Sequence, residues 1–113
     1  MPPSLKVSWY YILVSLAAAD RHGLAIAREV LTLSDGQMRL WPAMLYGALD
    51  DLSERGWIEE IVDGQRRPDD SERKRYYRIT RAGRGAVAAE TDRLAGLVRV
   101  ARARVKPRTG ETS

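Results

Sequence analysis

The sequence predicts a mainly α-helical fold with a small β-hairpin and a long C-terminal helix. Apolar residues recur at helical spacing up to residue 56 and again after residue 80, which predicts helices in both regions. Between these regions, two short runs are rich in β-branched and aromatic residues, as strands are. A chain of 113 residues fits one domain with a modest core, so a second subunit that shares this core would add stability.

The first predicted helix runs from Trp9 to Ala19, with Ser8 as its N-cap, and it is apolar nearly all round. Residues 1–7 precede it and are expected to form a flexible arm. A helix with so little charge must be covered on several sides. We therefore expect a partner subunit, as well as the rest of the chain, to cover it.

Two more helices are predicted in the first half of the chain, over Leu24–Leu33 and from Pro42 to about Arg55. Asp20 is the expected cap of the earlier helix. Proline is favoured at the first position of a helix and glycine commonly ends one, so Pro42 and Gly56 bound the later helix.

Strands are predicted at residues 57–62 and 75–79, with a short extended piece at Met38–Leu40. The polar segment 63–74 between the two longer strands predicts a long hairpin loop. Helix, helix, short strand, helix, strand, loop, strand and helix is the order of a winged helix-turn-helix, in which the hairpin is the wing. We place this domain at residues 8–80.

The last predicted helix, residues 81–105 after the cap Thr80, carries apolar residues at alternating spacings of three and four. This alternation is typical of a coiled-coil seam. The seam could pack on its own domain, but only its first turns would reach that core, and an exposed stripe promotes aggregation. We therefore favour a twofold homodimer, and expect residues 106–113 to form a disordered tail. The predicted interface comprises Trp9, Ile12, Leu13, Val87, Thr91, Leu94, Leu97, Val98, Ala101 and Val105.

Residues that could carry catalysis or bind a metal are few. The chain has no Cys and a single His, His22, which excludes disulfides, thiolate chemistry and a multi-histidine metal site within one subunit. The neighbouring acids Glu59 and Glu60 would face opposite sides of a strand. There is also no phosphate-binding glycine loop. We therefore expect no enzyme activity, no metal and no cofactor.

The positive charge is concentrated at the C-terminal end of the chain. Residues 1–80 contain 11 basic and 12 acidic residues, whereas residues 81–113 contain 8 and 3. A basic end is compatible with nucleic acid, or is only a solvated face. The apolar run at Val7–Ala19 lacks a cleavage site and is too short to span a bilayer, so we expect a cytoplasmic protein without a membrane partner.

The order and spacing of these features resemble the PadR family of bacterial transcriptional regulators, over roughly Tyr11 to Arg104. The resemblance implies a winged helix-turn-helix that binds operator DNA, usually as a repressor, and dimerises through a single C-terminal helix, as in the short branch of the family. Some members release DNA when a small planar or aromatic effector binds, often at the dimer interface. The matching motifs are His22-Gly23, Pro42, Leu45-Tyr46, Leu49, Leu52, Gly56-Trp57-Ile58-Glu59-Glu60, Arg75-Tyr76-Tyr77-Arg78-Ile79-Thr80 and Ala82-Gly83.

The start of the third helix and the hairpin loop are the predicted contacts with double-stranded DNA. The second helix of a helix-turn-helix places its first residues at base edges in the major groove, where Ala43 and Met44 could contact thymine methyl groups. Tyr46 would donate its hydroxyl to a phosphate, a role that the resemblance supports, or would be a packing residue. The loop arginines would reach the minor groove or backbone, or would form an exposed, salt-bridged loop. The predicted DNA-binding residues are Trp41, Pro42, Ala43, Met44, Tyr46, Arg66, Arg67, Arg73, Lys74 and Arg75.

Acidic residues on the third helix favour a second interpretation. Asp50, Asp51 and Glu54 would repel phosphates unless they point away or pair with Arg55. The alternative function is therefore a winged-helix module for protein contact, without sequence-specific DNA binding.

An aromatic cluster on the first helix is the candidate effector pocket. Trp9, Tyr10 and Tyr11 are consecutive, and a flat aromatic compound could stack on them between subunits. Plain packing at the interface is the other explanation.

Overall fold

The computed structural model describes residues 5–61 and 75–106. Arg66, Arg67, Arg73 and Lys74, predicted to contact DNA, therefore lie outside the described residues. A three-stranded antiparallel sheet accompanies the helices, which confirms the mainly α-helical class with a hairpin and a long last helix. The elements are α1 (Val7–Ala18), β1 (Arg21–His22), α2 (Gly23–Leu33), α3 (Pro42–Glu54), β2 (Ile58–Ile61), β3 (Tyr76–Ile79) and α4 (Arg81–Val105).

The short third strand lies elsewhere than the sequence predicts. It is β1, which pairs antiparallel with β3, so that the strand order is β1-β3-β2. Arg21 Nε donates to the carbonyl of Ser15 at 2.9 Å, and the His22 ring meets the Tyr76 ring edge-on at 5.5 Å. The prediction of a strand at Met38–Leu40 is wrong. The strand that forms instead, β1, has only two residues, so it shows no alternation in the sequence and depends on pairing with residues that are distant in sequence.

The helix caps also differ from the prediction. Lys6 is the N-cap of α1, and Ser8 lies inside the helix. His22 caps α2, since its Nδ1 accepts the Ala25 N–H at 3.3 Å. Asp20 does not cap α2 because β1 lies between them. The predicted stop of α3 is confirmed, since Gly56 follows the helix with a φ of 76°, a conformation that favours glycine.

The core lies where α1, α2, α3 and the hairpin meet. Ile12 and Leu13 of α1 are 0% exposed, and Trp9 is 7% exposed. Their predicted place at a subunit interface is wrong, because their own chain already covers them. The other buried apolar residues are Leu16, Ile26, Val30, Leu40, Leu45, Ala48, Leu49, Leu52, Ile58, Tyr77 and Ile79.

Only the first part of α4 packs on this core. Gly83 is buried and Val87 is half-buried against the core, whereas Leu97, Val98 and Val105 are 56%, 47% and 78% exposed. The second half of α4 therefore extends away from the domain with an apolar face uncovered.

None of the helices in residues 5–61 and 75–106 is long and apolar enough to cross a membrane.

Glu90 joins the start of α1 to α4, and no sequence pattern indicates it. Its carboxylate is buried and accepts hydrogen bonds from Arg93 at 2.6 and 2.9 Å, and the backbone of Leu5 lies beside it. The hydrogen bonds from Arg93, and secondarily its positive charge, outweigh the effect of burial and hold the pKa of Glu90 below its ordinary value of 4.5. Residues just before α1 are thus held on α4.

Glu90→Gln is expected to lower stability at neutral pH more than at acidic pH. A carboxyl group whose pKa is lower in the folded protein stabilises it above the unfolded pKa, and this contribution disappears as the pH falls through the folded value. Thermal unfolding of both proteins between pH 7 and about pH 3 tests this. The control is Asp92→Asn, which changes an exposed carboxylate of α4. A difference between wild type and Glu90→Gln that is the same at every pH would contradict the role of the charge.

Candidate nucleic-acid interface

The start of α3 is exposed and carries no side-chain cap. Trp41 is the N-cap, with extended backbone angles and no capping hydrogen bond from its side chain, and Pro42 opens the helix. Trp41, Met44 and Tyr46 are 62%, 56% and 42% exposed, and Ala43 is exposed as well. The five predicted DNA-binding residues of this region therefore share one accessible surface around the first two turns.

Tyr46 packs on the start of α2 and remains accessible. A Cβ built on Gly23 would lie 2.5 Å from Tyr46 Oη, so a larger residue at position 23 would require the tyrosine ring to move away. The two sequence motifs that contain Gly23 and Tyr46 thus meet in space. Because Tyr46 is 42% exposed, packing still leaves it accessible to a second molecule.

Two arginines outside the predicted set of DNA-binding residues flank this surface. The Arg39 guanidinium lies 5.5 Å from the centre of the Trp41 ring, and Arg28 is exposed on α2. Both line a cleft of about 330 Å³ between α2 and the start of α3. Its walls are mostly apolar and include Leu24, Ala27, Leu31, Leu40, Trp41, Pro42, Leu45 and Tyr46. Isolated arginines show no periodicity, so only their position beside the predicted turn could have indicated them.

The three carboxylates of α3 do not share one environment. Asp51 and Glu54 line a cavity of about 400 Å³ together with Lys6 and Arg55, so cations accompany them. The Arg55 guanidinium lies 4.7 Å from the Trp9 ring and 5.5 Å from the Trp57 ring. Asp50 is exposed and lies outside this cavity. Two of the three acids therefore have basic side chains nearby, toward the end of α3 away from its exposed start.

Of the predicted wing residues, only Arg75 is described. It is exposed, and its Nε lies 3.8 Å from Glu60 Oε1 across the hairpin. Arg78 lies opposite Glu59 in the same sheet, with its Nη2 2.6 Å from Glu59 Oε1. These ion pairs partly neutralise the positive charge of Arg75 and Arg78 at the base of the hairpin.

The aromatic residues of α1 do not form a shared pocket within the chain. Trp9 meets Trp57 edge-on at 6.2 Å, and Tyr10 Oη lies 2.7 Å from Thr91 Oγ1. Tyr11 packs against the core. Consecutive helical residues point about 100° apart, which separates the three side chains.

Together these features define the class of protein. Helices α2 and α3 form a helix-turn-helix, and the antiparallel strands β2 and β3 follow it as the base of a wing. This is a winged helix-turn-helix protein. The chain belongs to the transcriptional regulator PadR-like family, whose sequence profile matches residues 12–89. The resemblance found in the sequence is thereby confirmed.

Several solved structures share the fold. A transcriptional regulator from Clostridium thermocellum is 23% identical with a TM-score of 0.72, covering 88% of this chain and 90% of that one. A PadR family transcription regulator from Clostridium difficile is 18% identical with a TM-score of 0.71, covering 84% and 94%. The regulator BldR from Sulfolobus solfataricus is 20% identical with a TM-score of 0.70, covering 90% and 64%. No significant match was found among curated proteins.

Proposed function

We propose that this protein is a cytoplasmic homodimeric repressor that binds double-stranded operator DNA. The observation that carries the proposal is the exposed start of α3 in a winged helix-turn-helix of a regulator family. In such a motif the first residues of the second helix enter the major groove. Trp41, Pro42, Ala43, Met44 and Tyr46 would lie there. Arg66, Arg67, Arg73, Lys74 and Arg75 would contact phosphates or the minor groove from the wing.

The dimer would form through the second half of α4. Leu97, Val98 and Val105 are exposed, and an uncovered apolar stripe of this kind is normally buried by another subunit. Twofold pairing of two α4 helices would cover it and would hold two α3 helices at fixed spacing. Leu94 and Ala101 are the remaining members in this half of the helix, whereas Val87 and Thr91, also predicted at the interface, lie in the first half, where Val87 packs on the core and Thr91 lies beside Tyr10.

Relief of repression by a small aromatic effector is a further part of the proposal. The cleft between α2 and α3 offers about 330 Å³ of mostly apolar space. Trp41, Pro42 and Tyr46 belong both to this cleft and to the proposed DNA surface. An effector in the cleft would therefore compete directly with DNA. This site differs from the candidate pocket at Trp9, Tyr10 and Tyr11, which would require the partner subunit.

The test is fluorescence anisotropy of a labelled duplex from upstream of the protein's own gene, compared with a scrambled duplex at several salt concentrations. A repressor would prefer the upstream duplex, and its affinity would fall steeply with salt because phosphate contacts release counterions. Equal binding to both duplexes would contradict sequence-specific recognition. Failure to bind either at low salt would favour the alternative, a protein-contact module, for which the apolar cleft beside Leu24 and Trp41 is the best evidence.

Tyr46→Phe is expected to weaken DNA binding about tenfold for each half-site, and so about a hundredfold for the proposed dimer, and equally for every sequence, because a hydroxyl bonded to a charged phosphate contributes about 1.5 kcal/mol. Anisotropy titrations of the upstream and scrambled duplexes measure both affinities. The control is Tyr10→Phe, which removes a hydroxyl that lies beside Thr91 instead of α3. If Tyr46→Phe bound DNA as tightly as Tyr10→Phe, Tyr46 would be only a packing residue.

A further inference from the structure

The first two turns of α3 expose a surface with almost no hydrogen-bonding side chains. Pro42, Ala43, Met44 and Gly47 are all exposed, and none has a side-chain N–H or O–H group. The exceptions are Tyr46, whose hydroxyl end lies beside Gly23 of α2, and the preceding Trp41, whose indole has one N–H donor and no acceptor. The surface therefore lacks the Asn, Gln and Arg groups that form paired hydrogen bonds with adenine or guanine.

Gly47 shows that this surface is open to close approach. A Cβ at Gly47 would meet nothing within 4 Å, so packing within the described chain does not require glycine there. Glycine destabilises the middle of a helix relative to alanine. Its presence is explained if another molecule approaches the backbone at this point. Met44, 56% exposed, is then the longest flexible apolar side chain beside that approach.

The next turn of α3 does not supply the missing hydrogen-bond donors. Asp50 is exposed, but a carboxylate only accepts hydrogen bonds, so in the major groove it can pair with the amino groups of cytosine or adenine and not with guanine or thymine. The nearest arginine, Arg39, precedes the helix and lies over Trp41. Base recognition by the start of α3 is therefore dominated by apolar contact.

In the major groove, the C5 methyl group of thymine is the apolar feature that distinguishes one base from the others. We infer, on the basis of the proposed function, that Met44 is the specificity-determining residue and that it selects operators by contacting thymine methyl groups. The thioether side chain of methionine is flexible and polarizable, so it can pack against a methyl group without a fixed geometry. Sequence preference would thus come mainly from thymines in the two half-sites.

The experiment uses the full-length protein and a site selected from a random duplex library by repeated binding. Each thymine of the selected duplex is then replaced in turn by deoxyuridine, which removes only the C5 methyl group. We expect a loss of about fourfold in affinity for each methyl group that Met44 contacts, the effect of exposing one CH₂-sized group. Replacing the equivalent thymines of both half-sites should give about fifteenfold.

Met44→Ala is the matched variant. Leu33→Ala is the control, because Leu33 is an exposed apolar residue at the C-terminal end of α2 and not on the start of α3. The deoxyuridine penalty should disappear in Met44→Ala and persist in Leu33→Ala. The inference would be overturned, with DNA binding intact, if deoxyuridine left the affinity unchanged at every position. It would also be overturned if Met44→Ala showed the same loss of affinity with deoxyuridine as the wild type. Failure to enrich any sequence would instead contradict the proposed function, and with it this inference.

Discussion

Gly83→Ala is expected to lower the free energy of unfolding by about 3 kcal/mol, because an added Cβ would overlap the backbone of a neighbouring element. Gly83 lies in the first turn of α4. A Cβ added to it would overlap the carbonyl oxygen of Trp57 and would lie 2.8 Å from Ile79 Cγ1. The same carbonyl accepts the N–H of Thr80 at 2.9 Å. Relief of the overlap would move α4 off the domain and break this bond.

Gly85→Ala is the matched control, since a Cβ at Gly85 would meet nothing within 4 Å. In the interior of a helix, this change should raise stability by about 0.5–1 kcal/mol. Urea unfolding followed by circular dichroism measures both variants, at one protein concentration because dimerisation would contribute. Equal stability of Gly83→Ala and Gly85→Ala would show that the contact between α4 and Trp57 is not close.

Val98→Glu is expected to weaken self-association more than a hundredfold. Val98 is 47% exposed in the chain and lies in the middle of the apolar seam of α4. In a twofold dimer both copies of the substituted residue would lie near the interface, where two buried carboxylates lack partners and repel each other. Such a penalty corresponds to about 3 kcal/mol or more. Sedimentation equilibrium would show a monomer at concentrations where the wild type is a dimer.

The control for Val98→Glu is Ala103→Glu, which places the same charge on the opposite side of α4. It should leave the dimer intact. The loss of the dimer should also weaken operator binding sharply, because a monomer loses the effective concentration with which the second half-site binds. A wild-type protein that sediments as a monomer, or a dimer that survives Val98→Glu, would contradict the proposed interface.

Much of the fold is predictable because its signals are local in sequence. Helix α4 spans Arg81–Val105, the predicted range, since a cap residue and a continuous apolar stripe mark it. Gly56 ends α3 as predicted, because the positive φ that closes the helix favours glycine. The hairpin strands β2 and β3 lie within the predicted runs for the same reason, since alternation and β-branched residues are local properties.

The candidate site is predictable only in part. The start of α3 can be predicted from the sequence because Pro42 marks a helix start. The cleft and its arginines, Arg28 and Arg39, cannot be predicted in this way, because they come together only when α2 and α3 pack against each other. The surroundings of Asp51 and Glu54 likewise depend on Lys6, which is distant in sequence.

Which segments become helices and strands, and which class of protein they form, follow from local features of the sequence. Periodicity, caps and turn residues act over a few neighbouring positions, so a single chain records them directly. What covers each apolar face depends instead on the packing of elements that are distant in sequence. Trp9, Ile12 and Leu13 had to be buried, yet their own chain, and not a partner, buries them. The contacts of Glu90 with Leu5 and of Gly83 with Trp57 arise in the same way, because burial depends on how distant elements pack.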